Sequence, residues 1–353
     1  TDMTMLEKAK TRLAFDELFA ITLASLLNKR QFATESGVAI PFDVAVAKQF
    51  TESLTFPLTG AQKKVAWQIY KDLEAKTPMN RLVEGDVGSG KTIVAAMAAV
   101  MAIRQGFQVA LMAPTEILAR QHADTMHELL ATVGMSDVVG LLVGSMKPAQ
   151  KTAARKRVAD GAVRFVVGTH ALITDSVDLH NLGLVIIDEQ HRFGVDQRKK
   201  LQQKAGKMPH VLSMTATPIP RTLALTLYGE LDVSVIDELP PGRTPVTTVV
   251  VNNVKRDEVL TRIADACRAG RQVYWVCTLI EESEELDAQA AEATAERLKA
   301  ELSDIRVGLV HGRLKSDEKD AQMRDFKNGD TQLLVATTVI EVGVDVPNAS
   351  IMV

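Results

Sequence analysis

Gly85-Asp86-Val87-Gly88-Ser89-Gly90-Lys91-Thr92 is the stretch that decides the fold. It fits the pattern GxxxxGK[ST], and its flanks suit that pattern: residues 81–84 read as a short strand, residues 93–103 as a buried helix. Glycines let backbone N–H groups turn inward around a polyphosphate, and a helix N-terminus adds partial positive charge there. Lys91 is placed to reach the β- and γ-phosphates, and the Thr92 hydroxyl to hold Mg²⁺. A glycine-rich turn without a ligand is the bland alternative, and the strand-loop-helix context argues against it. The first expectation is a nucleotide site built by all eight residues.

At 353 residues the chain has room for two or three domains. Its longest apolar run, Ile93 to Ile103, is too short to cross a bilayer. The first residues, from Thr1 to Lys8, lack a leader pattern and do not begin with Met, which leads us to expect processing or a boundary upstream. Cys267 and Cys277 are the only cysteines and show no metal-ligand spacing, so reduced thiols in a cytoplasmic compartment are expected. Net charge is −3, unevenly spread: residues 1–254 carry 28 basic and 25 acidic side chains, residues 255–353 carry 13 and 19. A nucleic-acid track needs only local basic charge. Lys147, Lys151, Arg155, Lys156 and Arg157 could supply it, or could simply form a solvated helix face.

Short apolar strands alternate with helices between about Phe56 and Leu239: residues 109–112, 165–167, 184–187 and 211–214 are the strands. This alternation predicts an α/β fold with a parallel sheet covered on both faces. Ahead of it, residues 4–29 have helical periodicity, with Leu6, Leu13, Phe15, Leu18, Phe19, Leu23, Leu26 and Leu27 forming an apolar stripe. The Pro/Gly-rich segment Leu239 to Pro245 reads as a linker, after which strands and helices resume until an apolar strand at 349–353. No internal repeat is evident. The expected division is a helical linker over 1–52, a first lobe over 53–239 and a second, incomplete lobe over 240–353. Trp67 and Tyr70 read as core rather than as base-stacking platforms, and His311 is open between a role and a structural place.

Leu184 to His191, LVIIDEQH, brings two acids to the end of a central strand, where open α/β sheets bind ligands. Asp188 is placed to take Mg²⁺ and Glu189 to polarise an attacking water. Downstream of a phosphate loop, this acid pair points to nucleotide hydrolysis.

At these residues the chain resembles the superfamily-two helicases. Phe56 to Gln62 is similar to the adenine-recognising Q motif, which implies that Phe56 stacks on the base and Gln62 pairs with its edge. Residues 113–120, with Thr115 and Arg120, resemble motif Ia; Gly168, Thr169 and His170 resemble motif Ib; residues 214–217, with Thr215 and Thr217, resemble motif III. Residues 336–345, with Thr337, Thr338, Gly343 and Asp345, resemble motif V. The resemblance implies tandem RecA-like lobes, with ATP and Mg²⁺ between them. It gives Lys91, Asp188, Glu189 and His191 catalytic roles, and sets Gly343 and Asp345 toward the nucleotide. Thr115, Arg120, Gly168, Thr169, His170, Thr215, Thr217, Thr278, Thr337 and Thr338 are implied to contact DNA or couple it to nucleotide state.

The spelling over 188–195, 217–223 and 236–246 is similar to the bacterial fork-remodelling branch, and the helix at 4–29 fits the linker of that branch. The transcription-repair coupling branch shares the first two patterns. The implied activity is ATP-dependent branch migration and fork reversal in DNA repair and recombination. Its implied partners are branched or double-stranded DNA and a single-stranded DNA-binding protein, with the chain a nucleoid-associated monomer off the membrane. A translocase that displaces bound proteins, and a nucleotide-gated binding module with little turnover, are the alternatives. The chain also stops before an arginine-bearing motif VI and shows no OB-type wedge, so the expectation is a motor fragment.

Overall fold

The computed structural model describes residues 3–33, 36–169, 172, 177–189, 208–217, 231–240, 246–277, 284–337, 346 and 348–353. The chain divides into two compact units, Thr1–Arg243 and Thr244–Val353.

The first unit opens on α1 (Met3–Ala33), a helix as the periodicity predicts. Its leucines and phenylalanines stand exposed, from 44 % at Leu23 to 65 % at Leu13, so the apolar stripe is present and uncovered. The segment that follows already belongs to the lobe. Gly37 N–H donates to Lys76 O at 2.8 Å and Ile40 N–H to Leu73 O at 2.7 Å, while α2 (Val44–Ser53) buries Phe50. The linker is therefore shorter than the 1–52 expected, because Ile40 and Phe50 fill the core of the first lobe.

That lobe holds seven parallel strands in the order β3-β4-β2-β5-β6-β1-β7. They are β1 (Asn80–Gly85), β2 (Gln108–Met112), β3 (Val139–Leu142), β4 (Phe165–Gly168), β5 (Leu182–Asp188), β6 (His210–Thr215) and β7 (Asp232–Ile236). The helices are α3 (Gly60–Glu74), α4 (Lys91–Arg104), α5 (Glu116–Ala131) and α6 (Pro148–Ala159). Alternation along each strand sorts side chains to two cores. Val109, Leu111, Leu184 and Ile186 join α3, α4 and α5 on one face. Ala110, Met112, Val185 and Ile187 pack with Val158 and Val163 on the other. A strand buried on both faces has no polar positions to spare, which is why residues 184–187 read as a continuous apolar run.

The second unit has four parallel strands in the order β11-β8-β10-β9. These are β8 (Gln272–Cys277), β9 (Val307–Val310), β10 (Leu333–Thr337) and β11 (Ala349–Met352), with α7 (Arg256–Arg268), α8 (Glu284–Glu301) and α9 (Ser316–Lys327). The order repeats β5-β2-β4-β3 of the first unit, and small devices repeat with it. Gln108 Nε2 donates to the carbonyls of Val158 and Val163; Gln272 Nε2 donates to those of Phe326 and Thr331. Lys151 Nζ donates to Gly144 O, and Lys319 Nζ to Gly312 O. An internal repeat that the sequence does not announce is thus present in the backbone plan. Burial raises the thiol pKa of both Cys267 and Cys277, keeping them protonated.

His210 fastens the early segment to the sheet. Its Nδ1 accepts the Met79 N–H at 2.9 Å and its Nε2 donates to Val38 O, and the ring is fully buried. Burial lowers its pKa, against smaller raising effects from the Val38 bond and Asp72. The unfolded chain therefore binds a proton more readily than the fold does, so this contribution is complete above about pH 6.5 and declines as pH falls below it. His210→Leu orphans two buried backbone groups, at about 1–3 kcal/mol each. Urea melts at about pH 8 and about pH 5.5 should show a lower stability for the variant and a smaller loss on acidification than the parent shows. Equal acid losses in both would contradict this role.

Candidate functional site

The phosphate loop is shaped by two left-handed glycines, Gly88 at φ 77° and Gly90 at φ 92°. Gly90 is the N-cap of α4, whose first turn carries Lys91 and Thr92, and a Cβ at Gly90 would collide with the Gln62 amide. Gln62 is itself buried. Its Oε1 accepts the Thr59 N–H at 2.9 Å and its Nε2 donates to Ser89 O at 2.8 Å. Both ends of the amide are engaged beneath the loop, so Gln62 supports the loop in this conformation. Phe56 is 43 % exposed. Trp67, read as core, is instead half exposed, edge-on to Phe42 with the Lys71 ammonium over its ring, whereas Tyr70 is buried.

Within the loop the Ser89 hydroxyl is buried with no hydrogen-bond partner among the described residues. Asp86, Val87 and Gly88 are exposed. The Lys91 amine donates to Gly85 O at 2.6 Å and Asp86 O at 3.0 Å, folded back onto its own loop. Burial lowers its pKa, opposed by the charges of Asp188, Glu189 and Asp86. The amine therefore lies within the field of the acid pair, although the two sets of residues come from different strands.

Asp188 ends β5 and Glu189 follows it in a left-handed conformation, φ 51°, which a side chain adopts only under constraint. The constraint is visible. Glu189 is buried, its Oε1 accepts the Ala216 N–H at 3.3 Å, and its Oε2 accepts the Thr215 hydroxyl at 3.5 Å. Thr217 N–H donates to Thr215 Oγ1 at 3.1 Å. Strand β6 runs between β1 and β5, so Thr215 stands between the phosphate loop and the acids.

One partner of this site was absent from the sequence reading. His122, on the second turn of α5, meets Asp188 Oδ2 through Nε2 at 2.7 Å, with both side chains nearly buried. A histidine inside a helix gives no local sign of its tertiary partner, so no sequence signal pointed to it.

The expected DNA contacts divide. Thr115 uses its hydroxyl as the N-cap of α5, accepting the Leu118 N–H at 3.3 Å. Arg120 donates to Ser145 Oγ at 3.2 Å. Gly168 ends β4 where a Cβ would collide with Leu142 O, so close strand packing accounts for that glycine. Thr169, Thr215 and Thr337 are buried at strand ends, while Thr217 is exposed. Of these, the Thr215 hydroxyl donates to Glu189. His170, His191, Thr278, Thr338, Gly343 and Asp345 lie outside the described residues. In the basic track, Lys147, Lys156 and Arg157 are exposed, and Arg157 caps the Asp137 carbonyl at 3.2 Å.

Asp188 and Thr92 offer oxygen donors of the kind that Mg²⁺ selects, and the unpartnered Ser89 hydroxyl sits in the loop beside them. The residues present therefore fit a magnesium-bound nucleoside triphosphate.

Both units are similar to known proteins. The DEAD/DEAH box helicase family model matches residues 59–226, and the helicase conserved C-terminal domain matches residues 255–353. The chain is 53 % identical to the ATP-dependent DNA helicase RecG of Escherichia coli K12 over 349 residues, 98 % of this chain and 50 % of the relative. Identity to the RecG of Haemophilus influenzae is 54 % over 361 residues, 99 % of this chain and 52 % of the relative. The chain thus spans about half the length of the curated relatives it matches. A solved structure of RecG bound to a three-way DNA junction superposes with TM-score 0.82 at 41 % identity, over 100 % of this chain and 46 % of that one. Yeast Dbp5 bound to RNA and ADP BeF3 shares the fold alone, at TM-score 0.65 and 18 % identity over 89 % of this chain and 78 % of that one. Among the described residues no helix is long and apolar enough to cross a membrane. With both halves of a helicase motor matched and half its residues shared with RecG proteins, the chain carries the two domains of a helicase motor and is similar to RecG along nearly its whole length.

Proposed function

We propose that this chain is the ATP-hydrolysing motor of a DNA helicase that acts on branched DNA in branch migration, fork reversal and repair. The observation that carries the ATP site is the convergence of the phosphate loop, the acid pair and Thr215 at the C-terminal edge of one parallel sheet, with Lys91 in the field of Asp188 and Glu189. The choice of branched DNA is supported by the RecG relatives and by the junction-bound RecG structure. On the same resemblance we place the protein on the bacterial nucleoid, as a monomer, with a single-stranded DNA-binding protein as a partner to test.

The chain's own residues supply most of the chemistry. Backbone N–H groups of Gly88 to Thr92 and the α4 N-terminus take the phosphates. The Lys91 amine exchanges the Gly85 and Asp86 carbonyls for phosphate oxygens. Thr92 and Asp188 would hold Mg²⁺, which when bound offsets phosphate charge. Glu189 orients a water against the γ-phosphorus and accepts its proton as the bond to the β–γ bridging oxygen breaks. Because Glu189 also holds Ala216 and Thr215, loss of the γ-phosphate is felt at β6. Differential affinity for ATP and ADP then biases two arrangements of the motor.

Lys91→Ala should weaken ATP binding roughly tenfold to a hundredfold, the size of a lost charge-assisted bond, while leaving the melting temperature unchanged. Calorimetry that finds equal affinity would remove the phosphate-loop assignment. Glu189→Gln retains an acceptor for the Ala216 N–H and removes the base. Binding of Mg-ATP should persist, and single-turnover hydrolysis should slow by about 10²–10⁴-fold. Hydrolysis at the parental rate would put the base elsewhere.

A further inference from the structure

The carboxylate of Asp188 is held at both oxygens. Oδ1 accepts the Glu189 N–H at 3.2 Å, and Oδ2 meets His122 Nε2 at 2.7 Å. A carboxylate oxygen can only accept here, so Nε2 carries the donated proton. The two side chains are 11 % and 13 % exposed, so bulk water competes little for this bond. The two bonds come from different parts of the lobe: one from the strained turn at Glu189, the other from α5, which Thr115 caps and which packs beside β3 and β4. Asp188 has no other hydrogen bond in the described structure that could fix its rotamer. Rotation of the carboxylate about its own axis is therefore stopped chiefly by His122.

From this geometry we infer that His122 is a positioning residue of the ATP site: it presents the Asp188 carboxylate in the orientation that the nucleotide-bound magnesium needs. The inference rests on the ATP-site reading above. Groups that orient a metal ligand from behind set metal affinity even though they never touch the metal. The expected signature is therefore a change in the magnesium requirement, separate from the fold and from the affinity for the triphosphate itself.

The test uses the 353-residue chain and its His122→Ala and His122→Gln variants, with a fluorescent ATP analogue as probe. Magnesium is titrated at fixed probe, and probe affinity is measured separately in chelator. For His122→Ala the magnesium concentration giving half-maximal binding should rise roughly tenfold or more. Affinity in chelator and the melting temperature should stay at parental values. His122→Gln, whose amide can still donate to Asp188, should recover most of the magnesium response. An unchanged magnesium midpoint in His122→Ala would overturn the inference. So would a shift that His122→Gln fails to reverse, or one that comes with equal losses in chelator and in melting temperature, since either describes a merely structural histidine. Lys91→Ala serves as the control for the underlying reading: if it leaves probe affinity in chelator unchanged, the ATP-site assignment itself fails, and this inference fails with it.

Discussion

Gly90 and Gln62 form the contact on which the site is built. The glycine turns the chain into α4 with a left-handed backbone, and the buried amide lies directly against it, donating to the carbonyl of Ser89. No residue with a Cβ fits that space, and the one amide of Gln62 holds both the Thr59 N–H and the Ser89 carbonyl. Held in this way, the loop leaves the Ser89 hydroxyl without a hydrogen-bond partner among the described residues and keeps the Lys91 amine on the Gly85 and Asp86 carbonyls.

The order of strands then determines what faces that cradle. Placing β6 between β1 and β5 puts Thr215 and Ala216 between the phosphate loop and the acid pair. Glu189 consequently cannot change its protonation or its partner without disturbing the end of β6. Asp188 is fixed by one bond from its own turn and one from α5, and Glu189 by two bonds from the end of β6.

The phosphate loop and the acid pair were legible because their chemistry constrains residue identity locally: a left-handed turn demands glycine, and a fully buried strand ending in two acids has few other readings. The division into two α/β lobes was legible for the same reason, from apolar runs and the Pro/Gly-rich break. The hydroxyls were less legible. Thr115, Thr169 and Thr337 sit where a phosphate contact is expected, yet a hydroxyl at a strand or helix end also satisfies the chain's own N–H groups, and sequence does not separate the two. Gln62 was assigned to the base because its motif points there, whereas the structure uses its amide under Ser89. His122 and the repeat between the lobes left no trace, since both depend on what lies opposite in space: one side-chain bond in the first case, and bonds to backbone carbonyls in the second.

The most direct test of the account is a crystal structure of this chain with magnesium and a non-hydrolysable ATP analogue. The account predicts the triphosphate inside residues 85–92, the Lys91 amine moved from the Gly85 and Asp86 carbonyls to phosphate oxygens, and Asp188 facing the metal with His122 still bonded behind it. A nucleotide bound elsewhere, or one bound at the loop with Lys91 still on its own carbonyls, would contradict it.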